Sequence, residues 1–103
     1  MNIETINQPI AAPQHLSDRS KALWYSVVPN KVSTPHKLVL VQTALEALDR
    51  VEEARMSLLK AGLARIGDST GKVHLNPLCR IEKDARLQFT NIWCKQLHLH
   101  WEN

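Results

Sequence analysis

From Pro35 to Ala61 the chain holds no glycine and no further proline, and its apolar residues recur at helical spacing. Projected at about 100° per residue, they form two stripes. Leu38, Val41, Leu45, Leu48, Met56 and Leu59 make one, and Leu40, Ala44, Ala47, Val51, Ala54 and Leu58 make the other. Together they span roughly 200° of the circumference, wider than a helix lying on a single surface requires. The pattern predicts a helix about 40 Å long, buried on two sides. Neighbouring helices can cover one side. The other is covered either by a second subunit or by a compact monomer that wraps both stripes. A chain of this length buries a modest core, which favours the second subunit. Leu40, Ala44, Ala47, Val51 and Leu58 are therefore the candidates for an oligomer interface. Glu52 and Arg55 fall within the apolar arc at i, i+3 spacing and can pair with each other or across a contact.

Two shorter patterns flank this one. Leu16-Ser17 reads as a helix start with Ser17 as N-cap, followed by an apolar side of Ala22, Leu23, Trp24, Val27 and Val28 that stops at Pro29-Asn30. Thr34-Pro35 opens the long helix with a cap followed by proline. Gly62 stands where that helix needs a left-handed exit. Leu63, Ile66, Val73 and Leu75 around Gly67-Asp68-Ser69-Thr70-Gly71 predict a β-hairpin or ordered loop. Asn76-Pro77 then repeats the cap-and-proline start of a third helix running to about Leu97, with Leu78, Ile81, Ala85, Phe89, Ile92 and Leu99 on one stripe and Trp93 at its edge. The fold class is mainly α: three helices with a long central helix and a short β-hairpin or loop between the second and third. Residues 1–15, aperiodic with Pro9 and Pro13, are expected to be a flexible arm; residues 16–99 form the helical domain and 100–103 a tail.

Composition narrows the function classes. The 103 residues carry a net charge of +3 with a pI near 9.1, which permits nucleic-acid binding without requiring it. No apolar run is long enough to span a bilayer, and no basic start followed by an apolar block marks a secretory signal. Cys79 and Cys94 on one helix cannot meet, and read as free thiols of a reducing cytoplasm.

Candidate chemistry is sparse. Cys94 and His98 share a helical face with His100 nearby, but a structural zinc site takes four ligands and a catalytic one three plus water. No metal site and no cofactor are predicted. His36, His74, Cys79 and Glu82 are not spaced to place a nucleophile beside its base. No phosphate-cradling glycine motif is present. An enzyme is therefore not expected. The basic residues offer more. Arg19, Lys21, Lys31, Lys37, Arg65 and Lys72, on helix ends and loops, are the candidate DNA contacts, suited to holding phosphates without reading bases. The start of the long helix, Leu38-Val39-Leu40-Val41, is too apolar to face base edges as a recognition helix would.

The order of these signals resembles the small terminase subunits of tailed phages, in their compact terminase-four branch. The resemblance runs over about residues 15–99. Ala22-Leu23-Trp24 and Val27-Val28-Pro29 look like the family's opening helix, Thr34-Pro35 and Leu45-Glu46-Ala47-Leu48 like its long second helix, and Leu58-Leu59-Lys60-Ala61-Gly62-Leu63 like its exit into the connector. Gly71 and His74-Leu75-Asn76-Pro77 match what precedes its third helix. His98 stands where the family often has glycine. The resemblance implies a non-catalytic subunit that assembles into a homo-oligomer, often a ring, in the cytoplasm of the bacterial host. It would bind viral double-stranded DNA and regulate the terminase large subunit, which holds the ATPase and nuclease. A helical protein-interaction module without DNA binding is the alternative.

Overall fold

The structure, a computed structural model, describes residues 10–61, 64–66 and 73–101; for 64–66 and 73–75 it describes the backbone alone. The element order is α1 (Asp18–Val27), α2 (Pro35–Ala61), β1 (Ala64–Ile66), β2 (Val73–Leu75) and α3 (Leu78–Thr90), continued by a π-helical segment (Asn91–Gln96). The expected mainly α architecture is present.

The starts of α1 and α3 follow the capping chemistry. Ser17 sits in extended backbone and its hydroxyl accepts from the Ser20 amide at 3.2 Å, capping α1. At the head of α3 the Asn76 side chain accepts from the Leu78 amide at 3.0 Å. β1 and β2 pair antiparallel with Ala64 opposite Leu75, Arg65 opposite His74 and Ile66 opposite Val73, so the connector contains a hairpin. Gly62, the turn residues 67–71 and Lys72 lie outside the described residues.

α2 is the axis of the core. α3 packs along it most extensively and α1 crosses its middle. Val41, Ala44, Leu45, Ala47 and Leu48 meet Trp24 and Val27 of α1 and Phe89, Ile92 and Trp93 from α3 and its π-helical extension in one apolar cluster. The interface expectation is corrected here. Ala44 and Ala47 are 0% exposed within the single chain, and Val51 and Leu58 are buried as well. Only Leu40 keeps partial exposure. Four of the five residues thus have little or no surface left for a second copy, because the chain covers the second stripe itself. The apolar side chains that α2 does leave outside are Val39, Met56 (54% exposed) and Leu59 (80%), joined by Ile81 and Leu87 on α3.

The segments beyond the helices are docked, which corrects the flexible-arm expectation for residues 10–15. The Trp24 indole N–H donates to the Ile10 carbonyl at 2.9 Å, and the Ala12 amide donates to the Tyr25 hydroxyl at 3.0 Å. At the other end the Trp93 indole N–H donates to the His100 carbonyl at 3.1 Å. The two indole bonds satisfy donors of buried side chains, which would cost about 1–3 kcal/mol unpaired. The third helix also ends differently from the expectation. Its last turn widens, with the Leu97 amide bonded to the Ile92 carbonyl and the Leu99 amide to the Trp93 carbonyl, both at 2.9 Å. His98 then takes φ 56°, and the chain doubles back to lay Trp101 against Phe89 and Trp93 at centroid distances of 4.7 and 6.4 Å.

Two outcomes check this packing. Ala47→Glu buries a charge without a partner and abolishes the cooperative thermal transition, whereas Leu59→Glu on the exposed end of α2 shifts stability by no more than about 0.5 kcal/mol; circular-dichroism melts decide. At the left-handed His98, substitution by glycine stays within about 1 kcal/mol of wild type in urea titrations, because relief of the strained φ offsets the added chain entropy. His98→Val costs about 1–2 kcal/mol, since a β-branched residue fits that region worst.

Candidate nucleic-acid interface

The acidic residues of α2 determine where positive charge is left over. Glu46, Asp49 and Glu52 recur every three residues and face α1 and the segment before it. The His15 ring nitrogen Nε2 lies 2.7 Å from Glu46 Oε2. Asp49 receives three hydrogen bonds: the Ser17 amide donates to Oδ2 at 2.9 Å, and the Ser17 and Ser20 hydroxyls each donate to Oδ1 at 2.6 Å. Arg19 pairs with Glu52. Ser17 thus caps α1 and ties it to α2 with the same hydroxyl, and Ser20 is a fully buried polar side chain whose partner is Asp49.

These contacts hold both carboxyls below their ordinary range. For Asp49, burial works in the opposite direction and is the largest single influence, but the two serine hydroxyls, the Ser17 amide and the His15 charge together outweigh it. For Glu46 the His15 hydrogen bond leads, followed by that of Gln42 at 3.3 Å, against a smaller burial effect.

The six candidate DNA contacts do not form one patch. Arg19 is engaged by Glu52 and lies 5.8 Å from the centre of the Trp101 ring, so it is not a spare cation. Lys21 is half-buried on α1. Arg65 sits in β1 opposite His74, its side chain outside the described residues, as is Lys72 altogether. Lys31 and Lys37 are different. Both are exposed, and neither makes an ion pair among the described residues. Lys31 closes the turn after α1 through its amide bond to the Val27 carbonyl, and Lys37 lies in the first turn of α2. That turn contains no acidic residue and its His36 is exposed. Residues 19–45 include no Asp or Glu at all, a signal present in the sequence that the search for basic residues passed over. The α1–α2 corner is therefore positive without local competition, and the amino-terminal end of a long helix adds partial positive charge to it.

The other candidate groups are dispersed. Glu82 is held by Arg55 at 3.2 Å and Arg86 at 3.3 Å. His36 and His98 are exposed, and Cys94 packs against the core. Cys79 and Cys94 are not disulfide-bonded. Among the described residues no group of three or more His, Cys, Asp or Glu side chains could hold a metal ion, and no helix is long and apolar enough to cross a membrane. No family model, curated protein or solved structure matches the chain.

The carboxylate cluster predicts a pH dependence. Groups with depressed folded-state pKa values contribute stability that is complete above the ordinary carboxylate values, 3.8 for Asp and 4.5 for Glu, and is lost as pH falls through the lowered ones. Asp49→Asn costs about 1.5–3 kcal/mol near pH 7, the range for hydrogen bonds to a charged group. Its deficit against wild type shrinks in melts taken progressively below the ordinary Asp range. A deficit that is independent of pH removes Asp49 from this role.

Proposed function

We propose that the chain is a non-enzymatic, DNA-binding small subunit of a tailed-phage packaging terminase, acting in the host cytoplasm on viral double-stranded DNA and on the large ATPase and nuclease subunit. The observation that carries the DNA-binding reading is the acid-free surface around Lys31 and Lys37. Two exposed ammonium groups beside a helix start suit phosphate oxygens, and such contacts position a protein on DNA without specifying sequence. The resemblance in the order of helix, proline-started long helix, hairpin and proline-started third helix supplies the packaging context.

In this reading the subunits assemble as a homo-oligomer, and the surface available for that contact is the exposed apolar pair Met56 and Leu59, not the buried second stripe. Assembly repeats the lysine corner around the particle, so weak single contacts sum by avidity.

Binding to fluorescent duplex is expected to fall linearly in log affinity with log salt as phosphates exchange counterions for protein cations. Lys31→Ala with Lys37→Ala weakens binding to all sequences alike and makes the slope shallower by about 1–2. An unchanged slope takes these lysines off the interface. No binding by wild type at low salt favours the interaction module without DNA.

A further inference from the structure

A half-open cleft of about 180 Å³ lies where α1, α2, α3 and the returning tail converge. Three arginines stand around it, one from each helix: Arg19, Arg55 and Arg86. Leu48 and Val51 of α2 and Phe89 of α3 close its floor and are themselves buried, so its accessible apolar surface is mainly the ring of Trp101. Phe89 and Trp101 meet edge to face, with an interplanar angle of 76°, so the two rings form a fixed corner.

The charges are partly neutralised inside the chain. Glu52 takes Arg19, and Glu82 is shared by Arg55 and Arg86 through its Oε1 atom. Three guanidinium groups against two carboxylates leave one net positive charge. They also leave many donors unused, because each guanidinium carries five N–H groups and Arg86 contributes only its Nε to Glu82. Glu82 is 15% exposed while Arg55 and Arg86 are about half-exposed, so the acid is tucked behind the arginines and the cationic edges face outward.

An occupant must therefore combine an apolar body with an anionic group. The cleft is slightly larger than an apolar cavity known to take a benzene ring, about 150 Å³. It has no hydroxyl or amide side chain to meet the polar edge of a nucleobase, which would be left with unpaired groups. A carboxylate beside a phenyl or branched aliphatic side chain leaves nothing unpaired, and the planar fork of arginine binds carboxylates in two-point fashion. We propose that this cleft docks a peptide segment of a partner protein, with a bulky apolar side chain seated against the partly exposed Trp101 and an adjoining carboxylate held by the arginines. The inference stands independently of DNA binding at the lysine corner.

N-acetyl-phenylalanine is the simplest probe, with N-acetyl-phenylalaninamide as its uncharged twin and thymidine monophosphate as the nucleotide competitor. Each is titrated into the full chain while the Trp101 indole N–H resonance is followed by proton–nitrogen NMR. The acid is expected to shift that resonance with a dissociation constant near or below about 1 mM, a reasonable strength for so small a ligand. The amide should bind at least about tenfold more weakly, and Arg86→Gln should weaken the acid by a similar factor while leaving Glu82 its bond to Arg55. Equal binding of acid and amide overturns the proposal, as does the absence of any shift up to roughly 10 mM acid. Tighter binding of thymidine monophosphate at the same resonance overturns the peptide occupant in favour of a nucleotide. The acid–amide comparison uses the unaltered protein, so it stands even if Arg86→Gln fails to fold.

Discussion

Both apolar stripes of α2 have to be covered by one short chain, and most other features follow from how that is done. A roughly 200° arc needs material on opposite sides of the helix, and only α1 and α3 are available. The alanines at 44, 47 and 54 lie under these neighbours, where a small side chain lets helices approach closely. The larger residues sit where space remains between helices, as Leu45 and Phe89 do at near-zero exposure. Two helices do not cover the whole arc: Met56 and Leu59 stay exposed, while the ends of the chain cover the backs of α1 and α3. The arm reaches Trp24 through Ile10, and the tail reaches Trp93 and Phe89 through His100 and Trp101. The left-handed turn at His98 is what sends the tail back across the bundle, which gives a physical reason for a residue such as glycine at that position.

Covering α2 with a helix as short as α1 has an electrostatic consequence. α1 contributes few apolar side chains to the contact, and its first turn with the residues just before it is instead fastened by hydrogen bonds to Glu46, Asp49 and Glu52. The acidic groups in the middle of α2 are thereby directed inward along the chain's own seam. The corner at the far end of α1 is left with Lys31 and Lys37 and no carboxylate near them in sequence. A modest net charge of +3 thus becomes a local excess. Separation of the two signs along α2, more than the total charge, makes the corner locally cationic.

Much of the fold was legible in the sequence because it is written in local chemistry. Ser17 and the Asn76-Pro77 pair act on amides within three residues, and the pairing of β1 with β2 joins residues 7 to 11 positions apart, so composition and spacing suffice. The candidate site was less legible for the opposite reason. Arg19 looked like a surface cation because its partner Glu52 lies 33 positions away and the Trp101 ring further still. The second stripe of α2 was read as an interface because periodicity shows how wide an apolar face is and not what covers it. The docking of residues 10–15 turns on indole and hydroxyl bonds that carry no pattern at all.

The misreadings have a common direction, and it bears on how this chain can meet partners. Each residue that was assigned outward and proved engaged, whether Arg19 or Ala47, belongs to the seam between α2 and its covers. What remains outward falls in three places: Met56 and Leu59 towards the end of α2, Lys31 and Lys37 with the exposed Val39 at its start, and the arginine-rimmed cleft at the middle where three helices and the tail meet. These are three chemically distinct surfaces on a single small domain. Under the proposed function, a subunit that associates with its own copies, with a polyanion and with another protein would need surfaces that do not compete for the same side chains. Distribution along α2 meets that requirement, because the helix sets Lys37 roughly 30 Å from Met56 and Leu59.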